Sequence, residues 1–324
     1  MVSYNNPLLL KQADPFIHKH TDGFYYFIAS APEFDRIDLR RAETIDGLRE
    51  AEAVTVWAKH SEGPLSSLIW APELHYIEGK WYIYFAAAPS EVGHSEHKTF
   101  QHRMYAIEND NENPLEGEWI EKGQVKTNWE SFCLDATVFE HKEVFYYVWA
   151  QKDPDILGNS NLYIAEMENS WTLKAKQVML TKPDLEWEMR KIPVNEGPAV
   201  LKRNGKIFIV YSASATDENY AMGLLTADEK SDLLDPVSWE KAKNPVFQTS
   251  EENNKFGPGH NSFTVAEDGK TDLLVYHVRD QKTDGGEALN DAGRHTCIQP
   301  FTFDEKGYPQ FGEPVRNKAP ASAL

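Results

Sequence analysis

Apolar and polar positions along this chain alternate in a phrase that recurs. A short alternating run meets a polar turn, then a longer run rich in aromatic and β-branched residues. That pattern reads as strand, tight turn, strand. It occurs five times. Asp14 opens D-P-F-I-H-K-H-T-D-G-F-Y-Y-F-I-A, and Glu73 sits in A-P-E-L-H-Y-I-E-G-K-W-Y-I-Y-F-A. Asp135 opens D-A-T-V-F-E-H-K-E-V-F-Y-Y-V-W-A, and Glu196 opens E-G-P-A-V-L-K-R-N-G-K-I-F-I-V-Y-S. His260 opens H-N-S-F-T-V-A-E-D-G-K-T-D-L-L-V-Y-H. The five marker residues stand 59, 62, 61 and 64 positions apart. A fixed period with one hairpin per period predicts an all-β, five-bladed β-propeller, one domain over residues 1–324.

The segments between the hairpins predict the outer strands. Each of three ends near a tryptophan, Trp119, Trp171 or Trp239, read here as packing between blades. Short helical pieces are expected only over 42–53 and 227–234. Pro7-Leu8-Leu9-Leu10 is expected to lend a strand to the last blade and so close the ring. Stretches 88–101 and 280–291 read as exposed insertions. The histidines at 94, 97 and 102 are irregularly spaced in polar sequence, so they read as surface residues and not as a metal cluster.

Composition narrows the partners. A formal charge of −18 argues against nucleic acid or an anionic membrane, which need basic patches, and suits a neutral ligand such as a small oligosaccharide. No apolar run is long enough for a signal-peptide core or a membrane span. With that, Cys133 and Cys297 read as reduced, buried thiols, and the expected location is the cytoplasm. The sequence leaves a homo-oligomer open.

In a propeller the first strand of each blade lines the axis, so markers distant in sequence converge at one mouth of the tunnel. Three of those that open their copy, Asp14, Asp135 and Glu196, are carboxylates. A cluster of acids is costly to hold together and points to chemistry. The motifs Ala13-Asp14-Pro15, Trp70-Ala71-Pro72-Glu73, Leu134-Asp135-Ala136, Asn195-Glu196-Gly197-Pro198 and Gly257-Pro258-Gly259-His260-Asn261-Ser262, taken in this order, resemble glycoside hydrolase family 43.

That resemblance implies an inverting hydrolase of arabinofuranosides or xylosides. Asp14 would be the general base and Glu196 the general acid. Asp135 would be a third carboxylate that holds Glu196 and raises its pKa. It places His260 beneath the site, beside one Ca2+ or a monovalent cation in the central tunnel, or else as a hydrogen-bonded structural residue. It sets Arg294 against sugar hydroxyls. Trp70 is read as an apolar wall for the sugar ring or a core residue, and Phe34 and Arg36 as pocket rim. Glu73 reads as structural. The expected activity is an exo-acting α-L-arabinofuranosidase working on arabino-oligosaccharides or arabinoxylo-oligosaccharides. A β-xylosidase, an endo-arabinanase and a non-catalytic sugar-binding propeller are the alternatives.

Overall fold

A computed structural model describes residues 2–92, 100–283 and 288–317. Five antiparallel sheets stand around one axis. The first holds Ala13–Lys19, Tyr25–Ser30, Arg36–Ala42 and Val54–Ala58. The second holds Ser67–Ile77, Lys80–Ala88, Arg103–Asn109 and Ile120–Gln124. Cys133–His141, Val144–Gln151, Asn161–Asn169 and Thr172–Thr181 make the third. Asn195–Arg203, Lys206–Ala213, Ala221–Asp228 and Glu240–Lys241 make the fourth. The fifth has Phe256–Val265, Asp272–Arg279 and His295–Pro300. The first-listed strand of each sheet lies innermost, and these five strands touch one another in ring order. The predicted propeller is present.

Why the second strands are so apolar follows from this stacking. Each is covered on both faces by a neighbouring blade, so it cannot alternate. Tyr25–Ser30 is buried at every residue, and Trp81 and Trp149 are wholly enclosed. The core is accordingly divided into clusters between blades. Tyr26, Trp57, Ile69 and Phe85 fill the space between the first and second, and Phe208, Phe247, Tyr276 and Phe311 that between the fourth and fifth. Trp119 joins the first of these and Trp239 a further cluster with Trp149 and Tyr211, with their indole N–H groups donated to the Pro114 and Leu233 carbonyls.

Ring closure occurs as expected. Leu8 N–H donates to the Thr296 carbonyl at 2.8 Å, and Thr296 N–H to that of Leu9 at 2.9 Å. The Asn6 amide side chain extends the ladder, giving and taking a bond with Ile298 at 2.8 Å each. The helical expectations fare less well. Only a single 3-10 turn, Asp46–Arg49, forms within 42–53. Residues 227–234 finish a strand and turn, because Ala227 pairs with Ile207 and Asp228 with Lys206. Sheet pairing outweighed the local helix propensity there. Among the described residues no helix is long and apolar enough to cross a membrane.

Candidate active site

Every innermost strand breaks its pairing register near one mouth of the tunnel. At each break one residue adopts a left-handed backbone: Asp14 (φ 56°), Ala71 (44°), Asp135 (51°), Gly197 (55°) and His260 (44°). A bulge of this kind re-aims side chains, and left-handed non-glycine residues cost on the order of 1–2 kcal/mol each. The same strained turn is thus repeated around the ring. In the second blade it falls on Ala71, not on the marker Glu73. Glu73 lies two residues deeper, buried and paired with His75 Nε2 at 2.8 Å, in keeping with a structural role.

Asp14, Asp135, Glu196, His260 and Arg294 line one pocket of about 360 Å³. All are buried. Asp14 is held from several sides. Ser30 Oγ donates to Oδ2 at 2.6 Å and is itself fixed by the Ala71 amide. Oδ1 faces Arg294 Nη1 at 3.4 Å and the Nδ1 atoms of His260 and His277 at 3.3 Å. Burial alone would raise the Asp14 pKa. The charge interactions with His260 and Arg294 outweigh it, and hold the carboxyl well below the usual range.

Glu196 goes the other way. Burial first, then repulsion from Asp14, raise it to about 7, against the opposing effects of Tyr220 and Arg294. Tyr220 donates its hydroxyl to Glu196 Oε1 at 2.8 Å. Asp135 takes a bond from the Gly197 amide at 3.1 Å. Burial, then repulsion by Glu196 and Asp14, push its pKa well up. One pocket therefore presents an ionised carboxylate and a carboxyl that keeps its proton near neutrality, the division of labour that acid–base chemistry needs.

The repulsion between Asp135 and Glu196 is mutual, so they release protons as a pair. Asp135→Asn keeps the shape and removes one member. The alkaline limb of the pH–rate profile should then move to lower pH. An unmoved limb with normal turnover would make Asp135 structural only.

The remaining sequence candidates divide. Trp70 lines the pocket, but His102 is stacked on its ring at 3.9 Å, with Phe34 and Phe100 against its edges. Its indole N–H is buried without a partner, and Arg294 Nε is likewise buried and unpartnered. Both atoms are enclosed, so they stand behind the pocket wall and are not donors open to a ligand. Phe34 lines the pocket as expected. Arg36 does not, because Glu33, Asp35 and Asp38 hold its guanidinium outside. His102 is fully buried and bonded to the Leu68 carbonyl, which corrects its reading as a surface residue. His94 and His97 lie outside the described residues.

The expected tunnel cation meets a poor donor set. The described residues include no group of three His, Cys, Asp or Glu side chains suited to a metal. His260 Nδ1 instead faces Asp14 at 3.3 Å and Asp135 at 3.7 Å. A cation at His260 would have that imidazole and water for ligands, and no chemical step is assigned to it.

Tyr220, His277 and Ser30 were missed by the sequence reading. His277 had one visible signal, a titratable residue inside the apolar run L-L-V-Y-H-V. Tyr220 had none, since its loop carries no repeat.

A five-bladed propeller whose tunnel mouth gathers an ionised and a protonated carboxyl is the build of a glycoside-cleaving enzyme. Residues 4–309 match the model for glycosyl hydrolases family 43, and the chain belongs to that family. It is 50% identical over 314 residues to an extracellular exo-α-(1→5)-L-arabinofuranosidase of Streptomyces avermitilis, a match that covers 97% of this chain and 64% of the relative. The chain thus spans less than two-thirds of that protein's length. A protein of the same description from Streptomyces chartreusis is 51% identical, over 86% of this chain and 83% of its own. The crystal structure of an α-L-arabinofuranosidase from Lactobacillus brevis superposes with a TM-score of 0.96 at 58% identity, covering 98% of both chains. These relatives correct one expectation. Both Streptomyces proteins are named extracellular, which overturns the cytoplasmic placement. That placement rested on the lack of a long apolar run and on reading Cys133 and Cys297 as reduced, and buried thiols are sheltered in either setting.

Proposed function

We propose that this chain is an exo-acting, inverting α-L-arabinofuranosidase that releases L-arabinofuranose from the non-reducing ends of arabino-oligosaccharides, with residues 1–324 acting as a single catalytic domain. The observation that carries this is the convergence of Asp14, Asp135 and Glu196 on one pocket wall, where their surroundings push Asp14 and Glu196 toward opposite protonation states. The names of the relatives at about 50% identity supply the substrate class.

In this reading Asp14 accepts a proton from a water molecule while that water attacks the anomeric carbon. Glu196 delivers its proton to the departing glycosidic oxygen, and the bond to that oxygen breaks. Arg294 keeps Asp14 ionised and stands against the hydroxyls of the sugar, with Trp70 as apolar wall. Asp135 holds the amide of Gly197, the residue next to the acid.

The test is a panel of aryl glycosides together with an α-1,5-linked arabinobiose. Rapid release of arabinose from the arabinofuranosyl substrates, with the anomer of inverted configuration formed first, is the expected result. Preferential hydrolysis of the xyloside would make it a β-xylosidase. Binding without turnover would leave a sugar-binding propeller, and either result would overturn the proposal.

A further inference from the structure

Glu196 and Asp14 sit on the fourth and first blades, with the fifth between them. A pair of stacked rings crosses that gap. Tyr220, from the end of the loop before Ala221–Asp228, and His277, on Asp272–Arg279, lie parallel with ring centroids 5.6 Å apart and planes 3° from coplanar. Both are 1% exposed. At one end the Tyr220 hydroxyl donates to Glu196 Oε1 at 2.8 Å. At the other, the Asp14 amide donates to His277 Nδ1 at 3.2 Å. That bond requires Nδ1 to be an acceptor, so the ring proton is on Nε2, which is buried without a partner. Burial keeps this imidazole neutral, with its pKa lowered to about 3.

The backbone beneath is shaped for the stack. A Cβ on Gly259 would lie 2.4 Å from two Tyr220 ring carbons, and one on Gly257 would meet the Asp217 carbonyl oxygen at 2.0 Å. The Gly-Pro-Gly before His260 therefore lets the 217–220 loop lie flat on the fifth blade and bring Tyr220 to the acid. A filling tyrosine needs no such provision, and its hydroxyl could have gone to backbone.

We propose that Tyr220 and His277 are a positioning pair: Tyr220 occupies Oε1 of the acid so that the transferable proton sits on Oε2, and the stack on His277 sets the acid's place relative to Asp14. The proposal rests on the roles given above to Asp14 and Glu196. It adds a reason why the proton faces one way. The carbonyl oxygen of a neutral carboxyl is its better acceptor, so the Tyr220 bond favours Oε1 as the carbonyl and leaves the hydrogen on Oε2.

The groups bearing on the ionisation of Glu196 are Asp14 and Asp135, which disfavour its charged form, and Arg294 and the Tyr220 hydroxyl, which favour it. His260 and His277, both lowered by burial, stand beyond them.

Tyr220→Phe keeps the ring and removes the donor. For α-1,5-linked arabinobiose, kcat/KM should fall at least about tenfold, the loss of one hydrogen bond to a reacting group. For a dinitrophenyl arabinofuranoside, which departs without protonation, the change should stay within about threefold. Loss of a bond that favours the ionised acid should also move the alkaline limb up by about one pH unit. His277→Asn leaves an acceptor for the Asp14 amide but deletes the ring face. It should reproduce the substrate split. Equal losses on both substrates with an unmoved alkaline limb in Tyr220→Phe would overturn the proposal, as would a His277→Asn enzyme without a split. Glu196→Ala, measured alongside, separates the two layers. No split there sinks the acid assignment and the pair with it. A split there that is missing in Tyr220→Phe overturns the pair alone.

Discussion

Asp14→Ala should lose at least about 10²–10⁴-fold in turnover on every substrate, whatever its leaving group, because removal of a positioned base slows the attack of water itself. The carboxylate is held ionised by His260 and Arg294, and is the member of the cluster that can accept a proton near neutral pH. Its removal does not empty the core, since it stands at the pocket wall and the apolar clusters lie between blades. Circular dichroism should therefore show a folded, cooperatively melting protein. The decisive measurement is kcat on an activated aryl arabinofuranoside, where the acid is not needed. Near-normal turnover on it would remove Asp14 from the mechanism.

Glu196→Ala should instead divide the substrates. Cleavage of arabinobiose, whose leaving group is a sugar alkoxide, should fall by about 10³-fold or more, while a dinitrophenyl glycoside should lose no more than about tenfold. The expected pH profiles differ too. In the native enzyme activity on arabinobiose should decline as pH rises past about 7, where Glu196 gives up its proton. In Glu196→Ala the residual activity on arabinobiose should show no such decline, because no acid remains to be lost. Equal damage to both substrates would contradict the assignment.

Much of this arrangement was legible in the sequence because propeller geometry converts spacing into proximity. Asp14, Asp135 and Glu196 lie far apart in the chain, yet each opens an innermost strand, and the ring brings all three to one mouth. The leucines near the N-terminus were legible for a related reason: a ring needs a last strand, and Leu8 and Leu9 supply it. The phase of the second blade was not. Glu73 looks like the other markers by residue type, but the bulge falls at Ala71, and only backbone dihedral angles distinguish them. His102 was misread because its neighbours in sequence are polar, whereas its neighbour in space is the Trp70 ring. Arg36 was misplaced because three nearby carboxylates compete for it better than the pocket does. Tyr220 was invisible, since its value depends on two glycines nearly forty residues away that make room for it.

The left-handed turn shared by the five innermost strands has a consequence for the choice of knockout at the mouth. Alanine is the customary silent replacement, but at Asp14, Asp135 and His260 it must keep a Cβ in a backbone conformation that disfavours one. Glycine enters that conformation freely, as Gly197 does at the same station of the fourth blade. At these three positions the customary order of safety is reversed. Glycine there deletes the functional group and relaxes the chain beneath it, whereas alanine deletes the group and leaves the torsion in place. Comparing the two at one position separates what the side chain does in the reaction from what the turn costs the fold.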